Sequence, residues 1–274
     1  MTPLPFRHGW VAILLLLPLV GLAFWPNYIS RITTAPIAFH AHGVTATLWI
    51  ALVAAQILSI HHASPKLHRT LGKLSFVLMP LFMAGGVMIL QSMAVGFATN
   101  RDPFVSLLGA RLGTFDVIAG AGFGFFYLMA LLTRRSPQLH ARYMTATVLF
   151  LIGPIIGRLM PGFVPGLGIS GIEELSKFGL TIHAGNAIAA AIALYLVARA
   201  PRHGAPFLIA AALIGLQSAA YKFVGPLAWW EAVFVRIGEV PGTLAICFAF
   251  AAGIAIVFVG WTAPRRSQAR LMAS

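Results

Sequence analysis

The chain has 274 residues, of which 59% are hydrophobic and 9% are charged, and its formal net charge is +13. A soluble domain carries about 25% charged residues, so this chain lacks the polar side chains that a water-exposed surface needs, whereas a lipid solvent can face apolar side chains directly. The nineteen basic residues lie in short gaps between apolar runs rather than in one patch, which excludes a nucleic-acid partner and is typical of membrane topology signals.

The apolar runs predict transmembrane helices, each of which needs about 20 residues. The first run follows Arg7 and His8 and ends in Phe24, Trp25 and Pro26 without the small residues of a cleavage site, so we interpret it as a retained helix rather than a signal peptide. The sequence therefore predicts an all-α polytopic bundle in one integral membrane domain, with eight spans at 9–28, 42–60, 71–97, 105–133, 139–160, 178–199, 205–223 and 242–263.

One apolar segment, at 226–240, is too charged to be a ninth span. It contains Glu231, Arg236 and Glu239, and its two tryptophans, Trp229 and Trp230, suit the membrane interface. We expect a short helix lying on the outer surface, with an irregular loop as the alternative.

The loop charges predict the orientation. With the N-terminus inside, 12 of the 19 Lys and Arg residues lie on the cytoplasmic side and 7 lie on the outer side or in the outer half of the membrane. Because cytoplasmic loops carry the excess of basic residues, both termini are expected in the cytoplasm, and the expected location is the bacterial inner membrane.

Small residues and one cysteine within the spans predict packing details. The pairs Gly120–Gly124 and Gly153–Gly157 have the four-residue spacing that lets helix backbones approach. Cys247 lies in an apolar run and is expected to be a buried structural thiol.

The clearest organisation is an internal repeat. Residues 64–68 read SPKLH and residues 136–140 read SPQLH, 72 residues later, with a weaker third copy, APRH, at 200–203. Each copy lies between an outward-to-inward span and an inward-to-outward span. Spans 2–3, 4–5 and 6–7 are therefore predicted to be three related helical hairpins whose cytoplasmic turns each contain a proline.

The repeat aligns ionisable side chains within the membrane. His42, Asp116 and His183 lie 23, 21 and 18 residues before the three turn prolines, which puts them in the outer half or near the middle of the bilayer. Intramembrane charges usually face the bundle interior. We therefore group these residues with their neighbours as an outer-half polar cluster, which consists of His40, His42, Arg111, Asp116, Arg158 and His183. Three roles are open for this cluster: a hydrogen-bonded polar contact that locks the helices together, a substrate or proton site, or a metal or haem site.

A second group of basic residues lies at the cytoplasmic turns. These side chains either contact lipid headgroups and satisfy topology, or form a joint site between the repeated hairpins: His61, His62, His68, Arg69, His140 and Arg142.

Haem b is one cofactor that these histidines suggest, because membrane cytochromes hold haem between histidines on neighbouring helices. The ligand pair would be His42 with His183 on the outer side, or His68 with His140 on the inner side. Against haem, His42 and His62 lie about 30 Å apart along one helix, so two ligands well inside a single helix are absent. No Walker loop, HExxH, GxSxG or CxxC motif is present, and no catalytic residue is predicted.

Several of these residues resemble a family pattern. The stretch HAHG at 40–43, Trp49, Gln56, LHRTLG at 67–72, LHARYM at 139–144 and Arg158 resemble widespread bacterial multi-pass proteins of unknown function, some of which are loosely cytochrome b561-like. The resemblance covers about residues 38–160. It implies that His42, His68, His140 and Arg158 belong to a shared site or structural plan, and it implies no particular activity.

The sequence thus predicts an integral membrane protein of unassigned activity, and the partner that it predicts is the lipid bilayer. Three more specific functions remain open: a haem-binding or redox-linked protein, a proton-coupled small-molecule transporter, and a membrane scaffold or assembly partner.

Overall fold

A computed structural model describes residues 6–62 and 64–263, and within these ranges all regular structure is helical. Seven of the described helices are long and apolar enough to cross a membrane, and a shorter apolar pair lies at the N-terminal end, which confirms the all-α polytopic bundle. The helices are α1 (Gly9–Leu14), α2 (Leu16–Phe24), α3 (Ile37–His61), α4 (Pro65–Ala98), α5 (Pro103–Leu132), α6 (Pro137–Phe163), α7 (Lys177–Arg199), α8 (Ala205–Ala219), α9 (Ala228–Glu239) and α10 (Gly242–Thr262).

The first apolar run forms two short consecutive helices instead of one continuous helix. The break falls at Leu15, three residues before Pro18. Proline cannot donate a hydrogen bond to the carbonyl four residues earlier and its ring crowds that carbonyl, so Pro18 accounts for the interruption. Together the sixteen residues from Gly9 to Phe24 measure about 24 Å, which is shorter than the roughly 30 Å hydrocarbon layer.

Prolines open three of the long helices. Pro65, Pro103 and Pro137 lie in the first turns of α4, α5 and α6 respectively, so α4 begins six residues before the apolar run at 71, and α5 and α6 begin two residues before the runs at 105 and 139. Proline is favoured there because the first helical N–H groups have no partner within the helix. At α5, the Asp102 carboxylate also accepts a hydrogen bond from the backbone N–H of Val105 at 2.9 Å.

The helices pack as consecutive antiparallel pairs, α3 with α4, α5 with α6 and α7 with α8, as the SPxLH repeat predicts. We call the side that carries the three proline turns the inner side and the opposite side the outer side. Helix α10 covers α4 and α5, and its Gly253 lies against Pro80, where a Cβ atom would be 2.5 Å from the proline Cα.

The four-residue glycine spacing gives helix contacts at both glycines of one pair, and of the other pair only Gly124 faces another helix, at Ile256 of α10. Gly153 and Gly157 of α6 face Gly185 of α7, where a Cβ would lie 2.5 Å from the Gly153 carbonyl oxygen. Gly120 instead faces open space. The expected burial of Cys247 is wrong: this residue is exposed on α10, the helix with the least buried surface of the seven long ones.

The segment at 226–240 forms helix α9, which is anchored to the bundle rather than resting on its surface. Its Phe234 side chain has no exposed area and packs between Ala94 of α4 and Ala110 of α5. The indole N–H of Trp230 donates to the Ala110 carbonyl at 2.7 Å. Because α4 and α5 are the two longest helices, α9 packs against their outer ends.

Aromatic side chains fill the centre of the bundle. The ring centre of Trp49 lies 4.7 Å from that of Phe123 and 5.3 Å from that of Tyr127, and Phe82 stacks on Phe123 at 4.1 Å. The buried Trp49 indole donates to the hydroxyl of Thr147 at 2.9 Å. We call Trp49, Phe82, Phe123 and Tyr127 the aromatic core; it lies between the two polar clusters.

Candidate functional site

A cavity opens beside the proline turns between α3, α4, α5 and α6. Its volume is about 570 Å³, within the roughly 300–1,000 Å³ of typical small-molecule sites. Its walls are mainly apolar, and they contain no carboxylate. The polar residues of this inner cavity are Gln56, His61, His68, Arg69, Lys73, Ser75, Tyr127, Arg134, His140 and Thr145.

The predicted cytoplasmic-side cluster is brought together in part. His61, His68, Arg69 and His140 line the inner cavity, whereas His62 is exposed and does not line it. Arg142 is buried away from the cavity. It donates to the backbone oxygen of Gln138 at 2.8 Å and to its side-chain oxygen at 2.5 Å, and its guanidinium lies 5.4 Å from the Phe6 ring centre.

Two histidines face each other within the inner cavity. His68 is the fourth residue of α4 and His140 is the fourth residue of α6, because each follows its turn proline by three positions in the SPxLH repeat. Their ring centres are 6.4 Å apart, and the ring planes are nearly perpendicular at 78°. The repeat therefore gives two imidazoles equivalent positions on neighbouring hairpins.

Hydrogen bonds hold both imidazole rings by the same nitrogen. Nδ1 of His140 lies 2.8 Å from the Ala130 carbonyl oxygen, so Nδ1–H donates to that oxygen and Nε2 keeps its lone pair. Nδ1 of His68 lies 3.2 Å from the Gln56 carbonyl oxygen. In His140, Nε2 is thus the nitrogen that stays available to a bound group, which is the usual arrangement of a metal-ligating histidine; in His68 the same holds only when Nδ1–H donates to the Gln56 carbonyl oxygen.

The side chain of Gln56 lies against the same nitrogen of His68. With the carboxamide nitrogen towards the ring, it donates to Nδ1 at 2.6 Å while the carboxamide oxygen accepts from the Gly72 N–H at 2.7 Å. With the carboxamide oxygen towards the ring, it accepts from Nδ1–H. The first orientation satisfies the Gly72 N–H, whereas the second turns the carboxamide nitrogen towards that donor, so the unliganded site favours the His68 tautomer with its proton on Nε2. Binding of an electrophile at Nε2 would require the second orientation.

Basic side chains border the inner cavity. Arg69 and Lys73 are exposed one turn apart on α4. Arg134 donates to the carbonyl oxygens of Gly260 and Trp261 at 3.0 and 3.1 Å, and its guanidinium lies 4.9 Å from the Trp261 ring centre. Burial and the neighbouring Arg135 lower the pKa of the Arg134 guanidinium, which nevertheless stays charged at neutral pH. The cavity entrance is therefore positive.

Several cavity residues were not predicted as site residues. Ser75 and Tyr127 share a hydrogen bond of 2.7 Å between their hydroxyl oxygens, and Gln56 lies beside His68. Each is a polar residue inside an apolar span, and for Gln56 and Ser75 this feature of the sequence could have indicated a site residue. Phe6 and Trp261 could not be found in this way, because aromatic residues are common throughout the chain.

The six residues of the outer-half polar cluster form three separate groups. In the first, the Tyr28 hydroxyl lies 2.9 Å from Nδ1 of His40. In the second, His183 contacts the edge of Tyr221 at 5.4 Å between ring centres. Arg111 lies at this second group, since it interacts electrostatically with Tyr221, which belongs to a π-helical turn at Ala220–Val224 that the sequence did not predict.

The third group, which we call the outer triad, consists of His42, Asp116 and Arg158. Arg158 interacts electrostatically with both other members. Its guanidinium donates to the Pro154 carbonyl at 3.1 Å and lies 4.9 Å from the Phe24 ring centre. Of the predicted outer haem pair, the His42 ring contacts Phe82 and the His183 ring contacts Tyr221.

No protein-family model, no curated protein and no solved structure matches this chain. The function is therefore argued from the geometry of the two clusters.

Proposed function

We propose that this chain is a haem-binding, redox-active integral membrane protein whose inner cavity takes one b-type haem, the iron of which His68 and His140 would hold. The observation that carries the proposal is the 6.4 Å separation of the two imidazole ring centres in a mainly apolar cavity between neighbouring hairpins. Histidine is the common axial ligand of protein-bound haem.

The separation of the rings suits one iron between them. Both rings line one cavity with their centres 6.4 Å apart, so the two imidazoles could hold one metal centre together. The Nδ1 hydrogen bond of His140 leaves its Nε2 for this role, and that of His68 does so when Nδ1–H donates to the Gln56 carbonyl oxygen.

The ligand set favours haem over a bare metal ion. Among residues 6–62 and 64–263, no group of three or more His, Cys, Asp or Glu side chains is arranged to hold a metal. Two protein nitrogens suffice when a macrocycle supplies the other ligands, as in haem.

The walls of the cavity suit the rest of the cofactor. Apolar and aromatic side chains, including Phe76, Met144 and Trp261, would contact the porphyrin faces and edge. The entrance cations Arg69, Lys73 and Arg134 would pair with carboxylate side groups such as the haem propionates, and the cavity lining contains no acid to oppose them.

When bound, haem supplies one-electron transfer. The residues of this chain would hold the iron by two imidazoles, orient both rings through the Ala130 and Gln56 carbonyls, and exclude water with apolar walls. The proposal includes a bacterial inner-membrane location with both termini in the cytoplasm.

A proton-coupled transporter is supported less well. A carrier needs a polar route between the two sides, whereas the aromatic core fills the space between the outer triad and the inner cavity. Trp49 and Phe123 have almost no exposed area there. No observation in the described part of the chain specifically supports the role of a scaffold or assembly partner.

The test is the absorption spectrum of the protein purified after haem-replete expression. We expect a Soret band, α and β bands on reduction that are typical of bis-histidine haem, and one haem per chain by pyridine haemochrome assay. His68→Ala and His140→Ala should each abolish these bands.

His62→Ala is the matched control, because His62 lies on the same inner side but is exposed and outside the cavity; its spectrum should match the wild type. Absence of a Soret band in the wild-type protein would overturn the proposal. So would full haem content in the variant that lacks both His68 and His140.

A further inference from the structure

A second cavity, which we call the outer groove, opens on the outer side between α3, α4 and α10. Its volume is about 370 Å³, and its apolar walls include Ile37 of α3, Met88 and Val95 of α4, and Ile246 of α10. Met88 and Val95 are seven residues apart, so the groove follows about 10 Å of α4, which fits within one half of the roughly 30 Å hydrocarbon layer. Ile37 and Val95 are exposed at its edge, so the groove opens towards the lipid.

Glycines and one buried amide shape the outer groove. Gly238 lies against α4, where a Cβ atom would come within 3.0 Å of the Val95 nitrogen, and a Cβ at Gly242 would lie 3.3 Å from Oε1 of Gln91. The Gln91 side chain is only 9% exposed, and its Nε2 donates to the Val240 carbonyl. This hydrogen bond fixes the connection between α9 and α10 on α4. The groove is therefore held open by defined contacts between the helices that form it.

A cation lies at the outer end of the groove. Arg101 follows the last turn of α4, and Asn100 before it has a φ of 48°, the left-handed conformation that ends many helices. The backbone N–H of Arg101 donates to the Gly96 carbonyl oxygen at 3.0 Å. Because Gly96 has no side chain, the Arg101 guanidinium can lie directly against α4: a Cβ at Gly96 would be 2.9 Å from Nη2. The turn thus holds Arg101 at the mouth of the groove.

The outer groove is amphipathic. Among the described residues that line it, Arg101 is the only charged one, and the Ser92 hydroxyl lies deeper in the same groove. The Asp102 carboxylate lies 3.5 Å from Nε of Arg101, but the two side chains are 45% and 43% exposed, so water screens this ion pair and it is weak. The other Asp102 oxygen accepts from the Val105 N–H. The guanidinium therefore remains available to a second anion beside an apolar channel.

We propose that the outer groove binds one phospholipid from the outer half of the bilayer. Arg101 pairs with the headgroup phosphate, and one acyl chain lies along Met88 and Ile246. A guanidinium can give two parallel N–H donors to phosphate oxygens, and basic pockets between transmembrane helices bind anionic headgroups. The Ser92 hydroxyl donates to an ester carbonyl between headgroup and chain. The groove shares no lining residue with the inner cavity, so this site does not depend on haem binding.

The experiment is native mass spectrometry of the purified full chain in detergent, titrated with phosphatidylglycerol. We expect one tightly bound lipid per chain, and an affinity about fivefold lower in Arg101→Gln, the effect of one basic residue near an anionic headgroup. Met88→Trp should also lower the affinity, because the larger side chain fills the groove. Asp102→Asn should bind at least as tightly as the wild type, because the competing carboxylate is removed and asparagine also caps helices.

Lys222→Gln is the matched control, because Lys222 is an exposed cation on the outer side that does not line the groove; its affinity should equal that of the wild type. Dioleoylglycerol, which has acyl chains but no phosphate, should bind more weakly than phosphatidylglycerol. Equal affinity of the wild type and Arg101→Gln for phosphatidylglycerol, or equal binding of the two lipids, would overturn the proposal.

Two other occupants of the outer groove would give different results. If inorganic phosphate raises the unfolding temperature as much as phosphatidylglycerol does, the site binds free anions and the lipid proposal is wrong. A dimer of the chain that excludes the lipid and is lost in Met88→Trp would also contradict it, since the groove would then hold a second copy.

Discussion

Gln56 determines which nitrogen of His68 is free, and this gives it a role beyond packing. Its carboxamide and its backbone carbonyl both approach Nδ1 of His68, at 2.6 and 3.2 Å. A hydrogen bond from Nδ1–H to an oxygen raises the basicity of Nε2 and fixes the ring for ligation. The residue is therefore a positioning residue for the proposed haem ligand.

Substitution of Gln56 by glutamate should lower the midpoint potential of the haem. A carboxylate accepts from Nδ1–H more strongly than an amide oxygen, so the imidazole becomes a better donor and the ferric state is stabilised. Gln56→Leu should instead weaken haem binding by roughly tenfold, at the lower end of what such partners contribute, because the Gln56 backbone carbonyl remains. Potentiometric titration and haem retention during dilution measure the two effects.

A Gln56→Glu protein with the wild-type potential would contradict this role of Gln56. Haem loss in Gln56→Leu as complete as in His68→Ala would contradict the part assigned to the backbone carbonyl.

At the level of helices, glycines set the contact between α6 and α7. Gly185 lies against Gly153 and Gly157, and a methyl group at Gly185 would approach the Gly153 oxygen to 2.5 Å and the Gly157 nitrogen to 3.0 Å. Both atoms belong to the backbone and cannot rotate away. The two helices must separate to accommodate any side chain at this position.

Gly185→Ala should therefore destabilise the protein by about 1–3 kcal/mol, the usual effect of overpacking. The matched control is Gly120→Ala, since nothing lies within 4 Å of a Cβ at Gly120; it should be neutral or stabilising by up to about 1 kcal/mol from helix propensity. Thermal unfolding in detergent, followed by circular dichroism, gives both values. Equal unfolding temperatures for the two variants would show that the α6–α7 contact tolerates a methyl group.

The SPxLH repeat explains how much of the inner site was predictable. A turn proline followed three residues later by histidine puts His68 and His140 at the same position in two related hairpins, which sequence spacing alone can indicate. Whether those side chains face a cavity or lipid depends on how the hairpins pack. Spacing therefore could not separate His68 from His62, nor show that Arg142 points towards Gln138.

Other elements escaped prediction for identifiable physical reasons. Hydropathy does not register the backbone hydrogen bond that Pro18 removes, so the break at Leu15 was not predicted. The anchoring of α9 rests on one residue, Phe234, which charge and composition could not distinguish from an interfacial side chain. The sequence predicts how deep in the membrane each residue of the outer-half polar cluster lies. Its division into three groups depends on how each helix is rotated about its own axis, which the spacing of residues along the chain does not determine.

The whole molecule separates two sites by an aromatic core. The inner cavity has a positive entrance, and the outer triad contains the single deep carboxylate of the chain. Because Trp49, Phe82 and Phe123 fill the space between them, the two sites can serve different sides of the membrane. The orientation of the bundle then decides which compartment each site meets.

The loop charges predict that the inner cavity faces the cytoplasm, and cysteine labelling can test this. Cys247 is the only cysteine and is exposed on α10, so it is first replaced by serine. Lys66→Cys then reports the inner side and Thr99→Cys the outer side, since both positions are exposed at helix ends. In spheroplasts, a membrane-impermeant maleimide should label Thr99→Cys fully and Lys66→Cys only after permeabilisation. The reverse pattern would place the inner cavity on the outer face of the membrane and the outer triad on the cytoplasmic face, because both are formed by helices of the same bundle.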